Sequence, residues 1–352
     1  MVQNKAIFVA KAGNAHIIDV PYPTLPGDDY MVVKTTAVAI NPTDWKHVKY
    51  ANFMGNENTR VGCDYAGVVE EVGPAVTEFK KGDKVCGFVN GCNKFRSTDG
   101  AYATYTTAKA PVQSRVPKGW SDEQAATLGI SITTVGQGLY ETLGLQLPTE
   151  PVTDKTPIFI YGGSTATGIY GIQFAKLSGY TVITTASPKN HEYLKSLGAD
   201  HVFDYRSPTV AQLIRAAAGN DLRFAWDCHA DEASAKICAE ALNKEGAHYA
   251  SLLSGVDNVV KSINPDAKTS LSLGYTIFNE DVWLGALWPA SQKNFEFGKK
   301  FWALATDLLD EGKIKPINIV VNRGGSGLEG VLHGLKEAEA GNVSAEKLVY
   351  TL

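Results

Sequence analysis

Cysteine is scarce in this 352-residue sequence: Cys63, Cys86, Cys92, Cys228 and Cys238 are odd in number and lack zinc-finger spacing. That excludes a disulfide scaffold and predicts reduced thiols in a reducing compartment. No run of roughly 18 apolar residues suggests a membrane span, and the first residues lack the charged, apolar and small-residue succession of a signal peptide. Cytoplasmic residence is the expectation. An excess of positive charge is also missing, with 33 Lys and Arg against 37 Asp and Glu for a net charge of -4. Such a chain has no broad attraction for nucleic acid or an anionic membrane. What remains is an ordinary globular composition, 44% hydrophobic and 20% charged, in a chain longer than one hydrophobic core usually serves.

The first 130 residues carry short alternating runs at Lys5–Val9, Tyr30–Ile40, Gly67–Val72, Lys84–Val89 and Ala101–Thr107, punctuated by Pro-Gly and Gly-Asp turns. They predict a β-rich domain. From Pro157 strands alternate with helices: Ile158–Tyr161, Thr181–Thr185, His201–Phe203, Phe224–Asp227, Ala247–Leu252 and Ser270–Phe278 are strand candidates. Helical spacing fills most gaps between them, notably at 191–197, 210–218 and 232–242. Parallel crossovers follow, so the fold class is α/β, a Rossmann doubly wound parallel sheet beside a discontinuous β-rich domain. The expected division is 1–130 for the first domain, 131–285 for the nucleotide-binding domain and 286–352 for the returning part. An amphipathic helix is expected at Phe295–Leu309, and the tail Lys347–Leu352 is expected to close the first domain as a strand.

The turn Tyr161-Gly162-Gly163-Ser164-Thr165-Ala166-Thr167-Gly168 sits between a strand and a helix. Small residues there let the backbone approach a pyrophosphate, and free amides at the helix start face negative charge. Thr165 stands where a middle glycine could sit, so the hydroxyls of Ser164, Thr165 and Thr167 are candidates for phosphate oxygens or for helix capping. An NAD site would place a carboxylate about twenty residues on. The second strand ends instead in Ser187-Pro188-Lys189-Asn190, whose hydroxyl, ammonium and amide suit a 2′-phosphate. Tyr205 is placed to stack around the adenosine, or is a solvated turn residue. NADPH is the expected cofactor.

Three motifs ahead of this unit resemble the medium-chain dehydrogenase/reductase family: Ile40-Asn41-Pro42-Thr43-Asp44-Trp45-Lys46, Gly62-Cys63-Asp64-Tyr65-Ala66-Gly67-Val68-Val69 with Gly73, and Lys81-Gly82-Asp83-Lys84-Val85. The resemblance implies a GroES-like catalytic domain. Its zinc-dependent members place ligands at two of these motifs, where this chain has Asn41 and Cys63-Asp64. One thiol and one carboxylate do not make the three-ligand set that catalytic zinc needs, so no metal is expected. Cys63 and Cys92 then read as packed side chains. Without a Lewis acid, hydride transfer to an activated alkene suits the fold, leaving an enolate that needs stabilisation and a proton.

Lys46 is the first catalytic candidate, as a cation near the carbonyl, a phosphopantetheine or the nicotinamide, with a lysine lying over Trp45 as the alternative. Thr43, Asp44 and Trp45 are cofactor candidates, the first two equally readable as turn or cap residues. Gly129-Ile130-Ser131-Ile132-Thr133-Thr134-Val135-Gly136 resembles the family's domain-joining helix, which makes Thr134 the second catalytic candidate and the segment a substrate-binding one. Gly274-Tyr275-Thr276-Ile277-Phe278, read as the end of the last strand, is a further substrate candidate. Leu252, Leu253, Ser344 and Ala345 match positions where the family approaches the nicotinamide.

Within the family, the stretches 161–167, 187–190 and 202–205 are most similar to fungal trans-acting enoyl reductases. That implies reduction of α,β-unsaturated polyketide thioesters held on the acyl carrier of a partner synthase. A quinone or enone oxidoreductase is the alternative enzyme, and a nucleotide-binding scaffold without chemistry is the alternative of another class. The stretch Asn279–Ser291, with Trp283, Trp288 and Pro289, is expected to cover the last sheet edge and favour a monomer.

Overall fold

A computed structural model describes residues 4–352. The chain divides into two compact units, one made of residues up to 133 together with 275–352, the other of 134–274. The second unit is contiguous in sequence and carries a six-stranded, wholly parallel sheet. Its spatial order is His201–Phe203, Thr181–Thr185, Pro157–Tyr161, Phe224–Asp227, His248–Ser251 and Lys268–Leu271. The order reverses beside Pro157–Tyr161, which opens a crevice at the carboxyl ends of the strands. The helices Ala166–Leu177, His191–Ser196, Val210–Ala217, Glu232–Ala241 and Asp257–Ile263 make the five crossovers. Leu222, Ala225, Ala235, Cys238 and Tyr249 form part of its closed core.

The first unit is built on a mostly antiparallel sheet. Tyr30–Ala39 lies at its centre, pairing with Asp64–Val72, Tyr105–Lys109 and the returning strand Lys347–Thr351. Because Lys347–Thr351 is flanked by Ile319–Val321 on its other side, the sheet is completed by chain from both sides of the second unit. Ile7, Met31, Val33, Tyr65, Val85, Tyr102 and Tyr350 fill its core.

Two expectations change. Residues 270–278 do not form one strand: Lys268–Leu271 is the strand, and Gly274–Phe278 is a 3-10 helix. The side chains of Tyr275 and Thr276 bond within the first unit, and residues 275–285 cluster there. In the other change, Ala101–Thr107 supplies a strand only from Tyr105, with a single bridge at Ala103 before it. Val282–Trp283 and Leu287–Trp288 form a small hairpin of their own. All five cysteines are free and buried. Among the described residues no helix is long and apolar enough to cross a membrane.

Candidate functional site

In the second unit the strand Pro157–Tyr161 runs straight into the glycine turn. Gly162 adopts a left-handed φ of 79°, which costs a glycine little. Gly163 has no room for a side chain, since a Cβ there would lie 2.2 Å from Thr184 Oγ1. At Gly168 a Cβ would meet the Gly162 carbonyl at 2.4 Å, so the helix Ala166–Leu177 starts tight against the turn. Thr165 closes it: its hydroxyl donates to the Gly162 carbonyl at 2.8 Å and accepts from the Gly168 amide at 3.0 Å. Of the three candidate hydroxyls, Thr165 is thus the capping group. Ser164 and Thr167 are half-buried and make no side-chain hydrogen bond among the described residues. Ala166 and Thr167 stand in the first helical turn, whose amides have no helical acceptor. The backbone cradle and the positive end of a twelve-residue helix fit a dinucleotide pyrophosphate.

Around the same carboxyl edge, Ser187 precedes a one-turn helix Pro188–Asn190, with Lys189 exposed and Asn190 buried. Tyr205 is 39% exposed, and its ring lies 6.5 Å from that of Tyr161. Tyr161 faces His229 on another side, at 6.4 Å. The Arg206 guanidinium lies 5.7 Å from the Tyr205 ring and pairs with Asp204 at 2.9 Å. His229 and Arg206 are additions to the residues read from sequence. Leu252 and the 41%-exposed Leu253 follow the strand His248–Ser251.

The first unit holds its candidates differently. Asn41 precedes the helix Pro42–Lys49, with proline at the first position, where its missing amide costs nothing. Asp44 is fully buried, and its Oδ2 accepts from the Asn41 amide at 2.7 Å and the Tyr102 hydroxyl at 2.6 Å. Its Oδ1 has no hydrogen-bond partner among the described residues. Burial pushes the Asp44 carboxyl up to about 6, against the pull of those hydrogen bonds. The same desolvation pushes the buried His47 down to about 4 and raises the Cys63 thiol well above its ordinary value. Lys46 is half-buried, with Nζ 5.6 Å from the Trp45 ring, and burial lowers its ammonium.

Tyr275 reaches into this cluster from a segment 232 residues away. Its hydroxyl lies 2.7 Å from Thr43 Oγ1 and 3.4 Å from Cys63 Sγ, while its ring packs on Phe88 and His47 at 5.2 and 5.9 Å. Burial raises the phenol well above its ordinary value. Glu280 anchors the segment by accepting from the Tyr30 hydroxyl, from Arg96 Nη2 at 2.8 Å and from Lys109 Nζ at 3.4 Å. Cys63 is therefore more than a packed side chain, because its sulfur meets a phenol and lies beside the Asp44 carboxyl. Among the described residues no three His, Cys, Asp or Glu groups are arranged to hold a metal ion.

The remaining candidates divide by role. The Ile130 amide donates to Asp64 Oδ1 at 2.6 Å, and Asp64 Oδ2 takes the Lys347 ammonium at 2.6 Å inside the core. Gly129 makes room for this contact, since a Cβ there would lie 2.5 Å from Asp64 Oδ1. Thr133 accepts from Trp302 Nε1 at 3.1 Å. Ser131 and Ile132 are buried, as are Val135 and Gly136 where the helix Gly129–Val135 runs on into the second unit, and Thr134 is half-buried. Thr276 accepts from Asn294 Nδ2 at 2.7 Å, Ile277 packs at Gly298, and Phe278 packs on Phe88. Ser344 is exposed and Ala345 is buried with a left-handed φ of 55°.

Comparison with known proteins bears on these arrangements. Residues 27–118 match the alcohol dehydrogenase GroES-like domain, and residues 166–296 match the zinc-binding dehydrogenase family. The chain is 43% identical to the trans-enoyl reductase resD of Aspergillus sclerotiorum, over 98% of this chain and 99% of that one. It is 41% identical to the trans-enoyl reductase ACTTS2 of Alternaria alternata over the whole of both. It is 37% identical to lovC of Aspergillus terreus, the enoyl reductase component of lovastatin nonaketide synthase, over 94% of this chain and 91% of that one. Among solved structures, CurK enoyl reductase superposes with a TM-score of 0.77 at 19% identity, over 99% of each chain. A putative zinc-dependent alcohol dehydrogenase from Rhizobium etli gives 0.81 at 24%, over 99% of this chain and 98% of that one. These two likenesses bear on the fold.

Proposed function

Because the chain belongs to the medium-chain dehydrogenase/reductase family, in its trans-enoyl reductase branch, we propose that it reduces the α,β-double bond of a polyketide thioester presented by a partner synthase. The observation that carries this reading is the glycine turn at 162–168, shaped for a pyrophosphate, in a chain alike over its whole length to trans-enoyl reductases. A nicotinamide cofactor supplies the hydride when bound. Gly162, Gly163 and the first amides of the helix Ala166–Leu177 cradle its pyrophosphate, with Ser164 and Thr167 free to donate hydroxyls.

The finer reading is NADPH. Ser187 and Lys189 face a 2′-phosphate, with Tyr161, Tyr205 and His229 as the aromatic surround of the adenosine. Arg206 adds a cation beside Tyr205. In the first unit Lys46 steadies the developing negative charge of the thioester carbonyl; a desolvated ammonium interacts with such charge more strongly than a solvated one. Thr134 donates to the substrate or the nicotinamide. The chemistry proceeds without zinc, since the one thiol of Cys63 and the one carboxylate of Asp64, itself paired with Lys347, fall short of the three ligands a catalytic zinc needs. The protein works as a cytoplasmic monomer.

The test is NADPH consumption with 2-enoyl pantetheine thioesters, the same acyl groups on a carrier protein, and simple quinones. Turnover of thioesters, fastest on the carrier, is expected, with NADH much poorer. Comparable efficiency with NADH overturns the cofactor assignment, and inertness toward every thioester overturns the reaction. Stoichiometric tightly held zinc defeats the metal-free reading, and twice the chain mass in light scattering defeats the monomer.

A further inference from the structure

Reduction of an enoyl group needs a proton as well as a hydride, and the first unit contains a line of hydrogen-bonding groups that ends in a single half-exposed hydroxyl. Asp44 and Cys63 are completely buried and Tyr275 is 4% exposed, while Thr43 is only partly covered. The contacts run Thr43 Oγ1 to Tyr275 hydroxyl at 2.7 Å, then Tyr275 hydroxyl to Cys63 Sγ at 3.4 Å, with the Cys63 thiol beside the Asp44 carboxyl. Each of the three linking groups carries one exchangeable proton and can both donate and accept. Burying polar groups costs stability unless they are hydrogen-bonded, and here the buried hydroxyl and thiol bond in one line rather than to scattered backbone groups.

We propose that the line Asp44–Cys63–Tyr275–Thr43 stores one proton and delivers it through Thr43 to the α-carbon of the substrate. The inference rests on the enoyl reductase reading above. Hydride addition at the β-carbon displaces the π pair of the alkene onto the α-carbon, where the thioester carbonyl shares it. The new α-C–H bond forms as the Thr43 O–H bond breaks. Thr43 takes the Tyr275 proton, Tyr275 takes the Cys63 proton, and Cys63 takes the proton of a neutral Asp44 carboxyl, which ends as the carboxylate. After product leaves, water recharges the line from Thr43 inward.

The charge left behind suits Asp44 better than the other members. Burial raises the phenol and thiol well above their ordinary values, so a lasting phenolate or thiolate is disfavoured, while the carboxyl sits up at about 6. The groups facing Asp44 are the Tyr102 hydroxyl and the Asn41 amide, which stabilise the carboxylate. Asp64 and the Cys92 thiol lie within electrostatic reach, and Asp64 is already paired with Lys347. Tyr275 is a positioning and relay residue here, and Thr43 the group that meets substrate. The Glu280 anchor with Tyr30, Arg96 and Lys109 holds the Tyr275 segment in place.

The experiment uses the NADPH-loaded enzyme and an α-methyl-2-enoyl pantetheine thioester in D2O. Wild type is expected to place deuterium on one face and give one α-configuration. Tyr275→Phe keeps the ring against Phe88 and His47 but removes the hydroxyl. It should lower kcat on the order of 100-fold and give mixed α-epimers as water delivers the proton instead. NADPH affinity, read by direct titration, should stay near wild type. In the apoprotein, the infrared band of a protonated carboxyl, absent from Asp44→Asn, should shift in Tyr275→Phe. If Tyr275→Phe folds poorly, Cys63→Ala decides the matter by the same readouts. Wild-type kcat and a single α-configuration in either folded variant overturn the proposal alone. Wild type inert toward every enoyl thioester brings down the functional reading and this proposal together.

Discussion

Around Gly162 the second unit presents backbone amides and half-exposed hydroxyls within residues 161–168, whereas the first unit brings Thr43, Cys63 and Tyr275 together from positions as much as 232 residues apart. The first arrangement depends on the absence of side chains, and the second on their burial. A site of the former kind fails when something is added. The latter fails when something is removed, because the partners left behind are desolvated and unpaired.

That contrast breaks most sharply at Lys347. Removing its ammonium in Lys347→Met leaves Asp64 charged and buried, which should cost about 3–5 kcal/mol in denaturant unfolding. The double variant Lys347→Met with Asp64→Leu should recover most of the loss. If Lys347→Met alone unfolds like wild type, burial does not govern this unit.

Proton linkage sharpens the same side of the comparison. The raised Asp44 carboxyl contributes stability that is present in full below the ordinary carboxylate range and is lost as pH rises through about 6. The depressed His47 does the reverse, contributing above its ordinary range and losing that contribution as pH falls through about 4. The two slopes oppose each other in wild type. Asp44→Asn leaves His47 uncompensated, so between pH 6.5 and 4 the variant should lose about 2 kcal/mol more stability than wild type. Parallel stability curves would refute this.

Turning to the added-atom side, Gly168→Ala forces a methyl group against the Gly162 carbonyl. Overpacking of about 1–3 kcal/mol should fall on the turn and weaken NADPH binding in calorimetric titration. Unchanged affinity would mean that the phosphates lie elsewhere. The smallest expected effect is at Lys189, which is fully outside the core. Lys189→Ala should raise the KM for NADPH about tenfold and leave that for NADH unchanged; an equal rise for both would remove Lys189 from the 2′-phosphate.

The same contrast explains what could be read from sequence. The strands at 181–185, 201–203 and 224–227 and the turn at 161–168 are local patterns, in which period and glycine spacing carry the signal. The cluster around Asp44 carries no such signal: Tyr275 sits in a Gly-Tyr-Thr-Ile-Phe stretch whose β-branched and aromatic residues predict a strand. Its true conformation is a 3-10 helix. Its hydroxyl pairs with Thr43, and that contact forms only when residues 275–285 join the first unit. His229 and Arg206 belong to no motif: each sits just past a strand end, and only the rings of Tyr161 and Tyr205 beside them in the fold single them out. Lys46 and Thr43 were legible only through the resemblance of the motif at 40–46.

The strand Lys347–Thr351 lies between Ile319–Val321 and Tyr30–Ala39 rather than at a margin of its sheet. During synthesis on the ribosome the contiguous stretch 134–274 can therefore close first, while the earlier-made segments wait with unpaired backbone until residue 351 emerges. A nascent chain stalled before that point leaves the Ala37–Ala39 end of Tyr30–Ala39 unpaired on one side, an exposed edge that a chaperone could protect.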